Sequence, residues 1–182
     1  ASQDRPMVGH FTDDKVVLDF LASRNHPRLA ELGTSCPDHF LRTKVKPMVL
    51  DLPADAPIEK VRARVAEIHE AYRADYAAYY DRNKVKGSPA MRGADPLIIL
   101  VPGVGMFSYG ANKQTARVAG EFYINAINVM RGAEGLSTYA RSTRRRSSAS
   151  STGPSRRPSS SGCRSPSRWP PGSRWSPAPR PA

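Results

Sequence analysis

Residues 97–101 constrain the fold more than any other segment of the chain. They read LIILV, five consecutive apolar residues with a proline on each side. A short apolar run between turn residues is typical of a strand covered on both faces, as in layered α/β proteins. The PGVG that follows predicts a tight turn, and residues 106–109 predict the return strand. Asn112 then predicts the N-cap of a helix that runs to about residue 131.

The rest of the first 140 residues predicts three more helices and a short strand. Thr12 is expected to cap the first helix, and a second is expected between Pro27 and Gly33. Residues 34–46 are expected to form a loop with a helical turn, and residues 48–52 a buried strand. A long helix is predicted from residues 55–57 to about residue 82. Its apolar positions follow three- and four-residue steps and are expected to face inward: Ile58, Val61, Val65, Ile68, Tyr72, Tyr76 and Tyr79.

The net charge of +12 is distributed unevenly and divides the chain at about Ala140. Residues 141–182 contain ten of the 28 Lys and Arg residues and none of the 16 Asp and Glu residues, so residues 1–140 carry only +2. A nearly neutral body lacks the basic surface that binds nucleic-acid phosphates. We therefore expect residues 1–140 to form the folded domain, with no specific nucleic-acid partner.

Three features that are missing from the sequence indicate the cellular compartment of the protein. Cys36 and Cys163 lie far apart and form no CxxC pattern or disulfide framework. No apolar run approaches the roughly 20 residues that span a bilayer. The N-terminus shows neither an initiator Met nor the apolar region of a signal peptide. These features predict a cytoplasmic protein without a membrane partner, and a chain that begins inside a longer one.

Three stretches carry a resemblance to a known family: GTSCPDHFLRTK at 33–44, LIILVPGVGMFSYG at 97–110 and KQTARVAGEFYINAINVMRG at 113–132. Together they resemble the bifunctional rhamnulose-1-phosphate aldolase/short-chain dehydrogenase family, over essentially all of residues 1–140. The resemblance implies a layered class II aldolase/adducin-like α/β domain with a central sheet flanked by helices. It also implies a parent enzyme that joins this region to an NAD-dependent dehydrogenase, takes a sugar-phosphate substrate and forms a homo-oligomer.

The resemblance also implies a zinc-dependent aldol cleavage in the parent, with three His ligands. Here the position that matches the His of the strand–Asn-His-Gly–strand element is Val104, and residues 34–37 stand where the His-x-His element belongs. A valine cannot ligate zinc, so we expect either a second, degenerate aldolase-like unit or a site whose metal ligands come from an N-terminal segment of the parent. We therefore assign no metal ligand and no bound cofactor to this chain, and we expect it to be inactive alone. Zinc and NAD are expected of the full-length parent.

The candidate site residues lie in the stretch 33–44. His39 is the candidate catalytic residue, although a lone His in a loop is more often structural. Cys36 is a weaker candidate nucleophile, because the sequence shows no Cys–His pairing. Arg42 and Lys44 are candidate ligands for a sugar phosphate, with Lys46 beside them. Cations at alternate positions are equally what a solvated strand edge would show.

Residues 141–182 hold 13 Ser, 8 Pro and no aliphatic side chain larger than Ala, apart from Pro itself, which predicts disorder. Two explanations are open. One is an Arg/Ser-rich tail that binds nucleic acid, attached to a non-catalytic adducin-like binding module. The other is a frameshift. Read one base earlier, codons for 168–182 can encode a strand followed by Val-Thr-Gly and a Gly-rich turn, which resembles the start of a short-chain dehydrogenase. In that frame Trp175 followed by a TCN codon for Ser176 forces the valine. We favour the frameshift.

Overall fold

The computed structural model describes residues 6–53, 55–91 and 93–140, which form a four-stranded sheet with helices on both faces. The strands are β1 (Val8–Thr12), β2 (Met48–Val49), β3 (Ile98–Val101) and β4 (Gly105–Gly110). The helices are α1 (Lys15–Ala22), α2 (His26–Leu32), α3 (Pro37–Thr43), α4 (Ile58–Asn83) and α5 (Lys113–Leu136). The mixed α/β class predicted from the sequence is confirmed. The predicted tail, residues 141–182, lies outside the described residues.

The sheet has the order β1-β4-β3-β2 and mixes strand directions. The hairpin of β3 and β4 is antiparallel, with Ile98 opposite Ser108 and Leu100 opposite Met106. β1 adds to β4 in antiparallel fashion, whereas β2 runs parallel to β3. A parallel neighbour requires a crossover connection, and here α4 supplies it between β2 and β3.

Alternate side chains of β3 enter two separate cores. Ile98 and Leu100 are fully buried with Met106, Tyr123 and Ile127 in a cluster that α1, α2 and α5 cover; we call this side the α5 face. Ile99 lies in a second cluster that α3 and α4 cover, which we call the α4 face. The second cluster is made of Phe40, Val45, Met48, Tyr72, Tyr76, Tyr79, Ala94 and Ile99. The prediction that residues 97–101 form a well-buried strand covered on both faces is confirmed.

The turn between β3 and β4 depends on two glycines. Gly103 has φ = 77°, a left-handed conformation that suits a tight turn. Gly105 has φ = 147°, and a Cβ atom there would lie 2.6 Å from the Thr12 carbonyl oxygen of β1. The glycine therefore permits β1 to approach β4 closely. β1 itself was not predicted, because its five residues show no clear alternation of apolar and polar side chains.

Several boundaries differ from the sequence predictions. The N-cap of α1 is Asp14, whose carboxylate accepts from the Val16 amide, so the assignment of Thr12 is wrong. The segment 34–46 holds a seven-residue helix, α3, where a single turn was expected. α4 has the predicted length, but Ile58 is 56 % exposed and does not join the core. The predicted α2 with Gly33 after it, and Asn112 as the cap of α5, are confirmed.

Candidate functional site

α3 carries the candidate site residues, and local chemistry sets its limits. Cys36 is extended at the N-cap and proline occupies the first turn, where its missing N–H costs nothing. The helix stops at Lys44, whose φ of 61° takes the chain out of the helical conformation. Within the helix the Thr43 hydroxyl donates to the His39 carbonyl oxygen at 2.9 Å. The helix therefore holds residues 39 and 42 side by side, because they are three positions apart.

His39 is buried against α5. Only 5 % of the residue is exposed, and its ring meets the Phe122 ring edge-on, with the centroids 5.7 Å apart. The Asn125 side-chain nitrogen lies 3.5 Å from His39 Nε2. Burial lowers the pKa of the imidazole below its ordinary value, and the Asp38 carboxylate offsets part of this effect. The His39 ring is therefore held in its neutral form near neutral pH.

Arg42 shares Phe122 with His39. The Arg42 guanidinium carbon lies 6.0 Å from the centroid of the Phe122 ring, at the limit for a cation–π contact. The side chain is exposed, and within the described residues it forms no ion pair. An exposed guanidinium that rests on an aromatic ring is available to bind a carboxylate or a phosphate.

The structure does not bring Lys44 to the same place. Its ammonium lies 4.0 Å above the centroid of the Tyr76 ring and donates to the Gly93 carbonyl oxygen at 2.9 Å, on the α4 face. The residue is 9 % exposed, so the description of a solvated strand edge is wrong for it. The two predicted phosphate ligands, Arg42 and Lys44, therefore face different parts of the molecule.

Lys46 is separate from His39, whereas Cys36 meets it through the backbone, where the His39 amide donates to the Cys36 carbonyl oxygen at 3.1 Å. Lys46 forms ion pairs with Glu31 at 2.9 Å and Asp75 at 3.1 Å. Its partial burial lowers the pKa of the ammonium, but the hydrogen bonds to these two carboxylates outweigh burial and raise it. The Cys36 thiol is half-buried and free. Among the described residues the thiol forms no hydrogen bond with an imidazole ring, so the geometry gives it no activating base.

A buried charged cluster was missed by sequence reasoning. Asp95, which is 5 % exposed and precedes β3, accepts from Arg73 of α4 and lies 3.1 Å from His69 Nε2. The two partners are four residues apart on α4, so both reach the same carboxylate. The signal available in the sequence was the i, i+4 pair of His69 and Arg73, but it did not indicate the distant Asp95. The cluster joins α4 to the start of the central strand.

A groove lies between α2, β2 and α4. It encloses about 470 Å³. Its apolar walls include Met48, Ile68 and Tyr72, and Glu31 and Asp75 stand at its rim with Lys46. The Tyr72 hydroxyl donates to the Lys46 carbonyl oxygen at 2.9 Å, which fixes one wall. The groove is separate from the contact of His39 with Phe122 and Asn125.

The strand–turn–strand–helix unit has the architecture that the resemblance implied. β3, the turn at 102–104, β4 and α5 follow each other directly, and Asn112 caps α5 through its side-chain oxygen. The sequence model of the family described as "Aldolase class II, second domain" matches residues 1–146. The chain belongs to this family.

One curated relative extends this result. The chain is 33 % identical, over 139 residues, to a protein of Bacillus subtilis (strain 168) named "Uncharacterized oxidoreductase YuxG". The alignment covers 76 % of this chain but 20 % of the relative, so the chain spans about a fifth of that protein's length. No solved structure matches the chain. Across the described segments, no helix is both long enough and apolar enough to cross a membrane.

The donor set of this class II aldolase second domain does not fit a zinc ion. Between residues 6 and 140, leaving out 54 and 92, no group of three or more His, Cys, Asp or Glu side chains could hold a metal. Val104 stands at the tip of the turn, where the resemblance places a histidine, and it is 36 % exposed. A site that needs three imidazoles would have to take them from other residues.

Proposed function

We propose that the chain is part of a bifunctional sugar-catabolic enzyme that cleaves rhamnulose 1-phosphate to dihydroxyacetone phosphate and lactaldehyde. Membership of the class II aldolase family carries the proposal, because the match extends over residues 1–146 and includes the unit of β3, β4 and α5. The choice of sugar rests on the resemblance of the stretches 33–44, 97–110 and 113–132. The parent is a cytoplasmic homo-oligomer in this proposal.

The second activity in the proposal is a dehydrogenase that oxidises the aldehyde with NAD. Its support is the relative of Bacillus subtilis, which is named as an oxidoreductase and is about five times as long as the aligned region. In the same proposal, residues 141–182 are a frameshifted reading of the segment that leads into the dehydrogenase. The support for this part is the hidden Val-Thr-Gly sequence, in which Trp175 followed by a TCN codon for Ser176 forces the valine.

The residues of this chain take limited roles. His39 is neutral and buried beside Asn125, so it can accept a proton, and the exposed Arg42 can bind the phosphate of the sugar. Lys44 has a structural role on the α4 face, because its ammonium is already bound to Gly93 and Tyr76. The proposal places the zinc ligands elsewhere in the parent, since Val104 and its surroundings supply none.

An activity assay tests the proposal. The purified chain 1–182 and the full-length parent are each mixed with rhamnulose 1-phosphate, with and without zinc, and release of dihydroxyacetone phosphate is followed. We expect cleavage by the parent alone, and a raised KM in the parent variant Arg42→Ala but not in Arg24→Ala, a matched change of an exposed arginine. Metal-dependent cleavage by 1–182 alone, well above the metal-free control, would show that the assignment of the ligands is wrong. A parent that leaves the sugar phosphate intact would remove the proposed substrate.

A further inference from the structure

Phe122 and Asn125 lie one turn apart on α5, and both touch the ring of His39. The Phe122 ring packs edge-on against the imidazole, and the Asn125 side-chain nitrogen lies 3.5 Å from Nε2. His39 is 5 % exposed, whereas Asn125 is exposed. Packing therefore restricts the orientation of the ring from one side, and an amide at the solvent boundary meets one of its two nitrogens.

This contact favours one position of the imidazole proton. The nitrogen of an asparagine side chain can only donate a hydrogen bond, so a hydrogen bond from Asn125 to Nε2 requires a lone pair on Nε2 and the proton on Nδ1. Burial favours the same neutral form. The charged group that acts on the ring is Asp38 of α3, Arg42 of α3 contacts the neighbouring Phe122 ring, and α5 contributes the uncharged Phe122 and Asn125.

We propose that Asn125 is a positioning residue that fixes His39 as the neutral tautomer protonated on Nδ1, with Nε2 as a proton acceptor, while Arg42 contacts the same Phe122 ring. The 3.5 Å separation is long for a hydrogen bond, so a ligand hydroxyl can replace the amide as the donor to Nε2. The contact of α3 with α5 then presents a cation for an anionic group and, one helical turn away, an acceptor for a hydroxyl group. The inference rests on the proposed function for the use of His39, but not for the state of its ring.

The direct test is nitrogen NMR of the histidine rings in the full chain, with all variants compared at several pH values. In the wild type, the His39 signals should show Nδ1 protonated and Nε2 unprotonated above the titration. In Asn125→Leu the neutral ring should become a mixture of the two tautomers. In Asn125→Asp the carboxylate accepts from Nε2, so the tautomer should reverse and the titration midpoint should rise by about one pH unit or more.

Asn128 supplies the matched control, because it is an exposed asparagine on the same helix, three residues further on. Asn128→Leu and Asn128→Asp should leave the tautomer unchanged and move the midpoint by less than about 0.3 units, as expected of a more distant and screened charge. Equal shifts from Asn125→Asp and Asn128→Asp, or a wild-type ring protonated on Nε2, would overturn the proposal. Helical circular dichroism confirms that each variant is folded.

The outcome is independent of catalysis, because the spectra require no turnover. If His39 shows the expected tautomer but the parent does not cleave rhamnulose 1-phosphate, the positioning role of Asn125 stands and the proposed substrate is wrong. If the parent cleaves the sugar phosphate but His39 carries its proton on Nε2, the proposed function stands and the positioning role of Asn125 is wrong.

Discussion

The two faces of the sheet are built from different chemistry. On the α5 face the core is almost entirely apolar, and Leu100, Met106 and Ile127 are fully buried. On the α4 face three tyrosines pack in the core, and the polar residues Lys44, His69 and Asp95 are buried among or beside them. The α5 face is stabilised mainly by removal of apolar surface from water, whereas the α4 face also depends on hydrogen bonds and ion pairs that must all be satisfied.

A cavity in the core of the α5 face should have the largest effect on the free energy of unfolding. Leu100→Ala removes three buried carbon atoms from the centre of the sheet and is expected to lower the free energy of unfolding by about 2–5 kcal/mol. Urea denaturation followed by circular dichroism measures the loss. Val104→Ala, in the exposed turn, is the control and should change stability by less than about 0.5 kcal/mol. Similar losses from the two variants would mean that the α5 face is not the main apolar core.

Loss of the buried Asp95 carboxylate, on the α4 face, should have the second-largest effect on the free energy of unfolding. Asp95→Ala leaves Arg73 and His69 without their shared acceptor, which should cost about 3 kcal/mol. Asp75→Ala is the matched control on α4, because its ion pair with Lys46 is half exposed and should contribute about 1 kcal/mol or less. Urea denaturation of the two variants at pH 7 compares them. If both lose the same amount, the cluster around Asp95 contributes no more than a surface ion pair.

Removal of a tyrosine hydroxyl should lower the free energy of unfolding on the α4 face but not on the α5 face. Tyr72→Phe on the α4 face loses the hydrogen bond to the Lys46 carbonyl oxygen and should cost about 1 kcal/mol. Tyr123→Phe on the α5 face should be neutral or stabilising, because the buried Tyr123 hydroxyl has no hydrogen-bond partner in the described part of the chain. Thermal unfolding of the pair measures the difference. A larger loss from Tyr123→Phe would mean that the α5 face also contains a hydrogen bond it depends on.

The smallest expected effect is the pH dependence contributed by His39. Burial lowers the pKa of the folded imidazole below its unfolded value of about 6.5, so the unfolded state binds a proton more readily. Stability from this group is therefore present above pH 6.5 and is lost as the pH falls below it. Between pH 7.5 and pH 5.5 the wild type should lose more stability in urea than His39→Gln does. Equal losses in the two proteins would contradict the depressed pKa.

Sequence reasoning succeeded where hydropathy alone decides the structure. Residues 97–101 and the apolar spacing of α5 predicted the α5 face, because apolar burial leaves a periodic signal along the chain. The α4 face was harder to predict from the sequence. α4 has polar residues on most of its surface. Ile58 is exposed and Val61 is only partly buried, because the buried positions begin further along the helix, at His69 and Tyr72.

The candidate site was predicted in part, for a similar reason. Residues 39, 42 and 44 looked like neighbours in the sequence, but the end of α3 at Lys44 turns that side chain to the opposite side from Arg42. The contacts of His39 with Phe122 and Asn125 span more than 80 positions, and no local pattern encodes a contact of that range. The same holds for Asp95 with His69 and Arg73.

The nucleotide sequence of the gene around and beyond codon 141 tests the proposed parent enzyme most directly. We expect a one-base correction near codon 141 to open a frame that continues through a strand into a dehydrogenase with a Thr-Gly-x-x-x-Gly-x-Gly turn. A corrected frame that stops within a few codons, or an Arg/Ser-rich segment encoded with no dehydrogenase after it, would contradict the account. The adducin-like module with a nucleic-acid-binding tail would then be the better description.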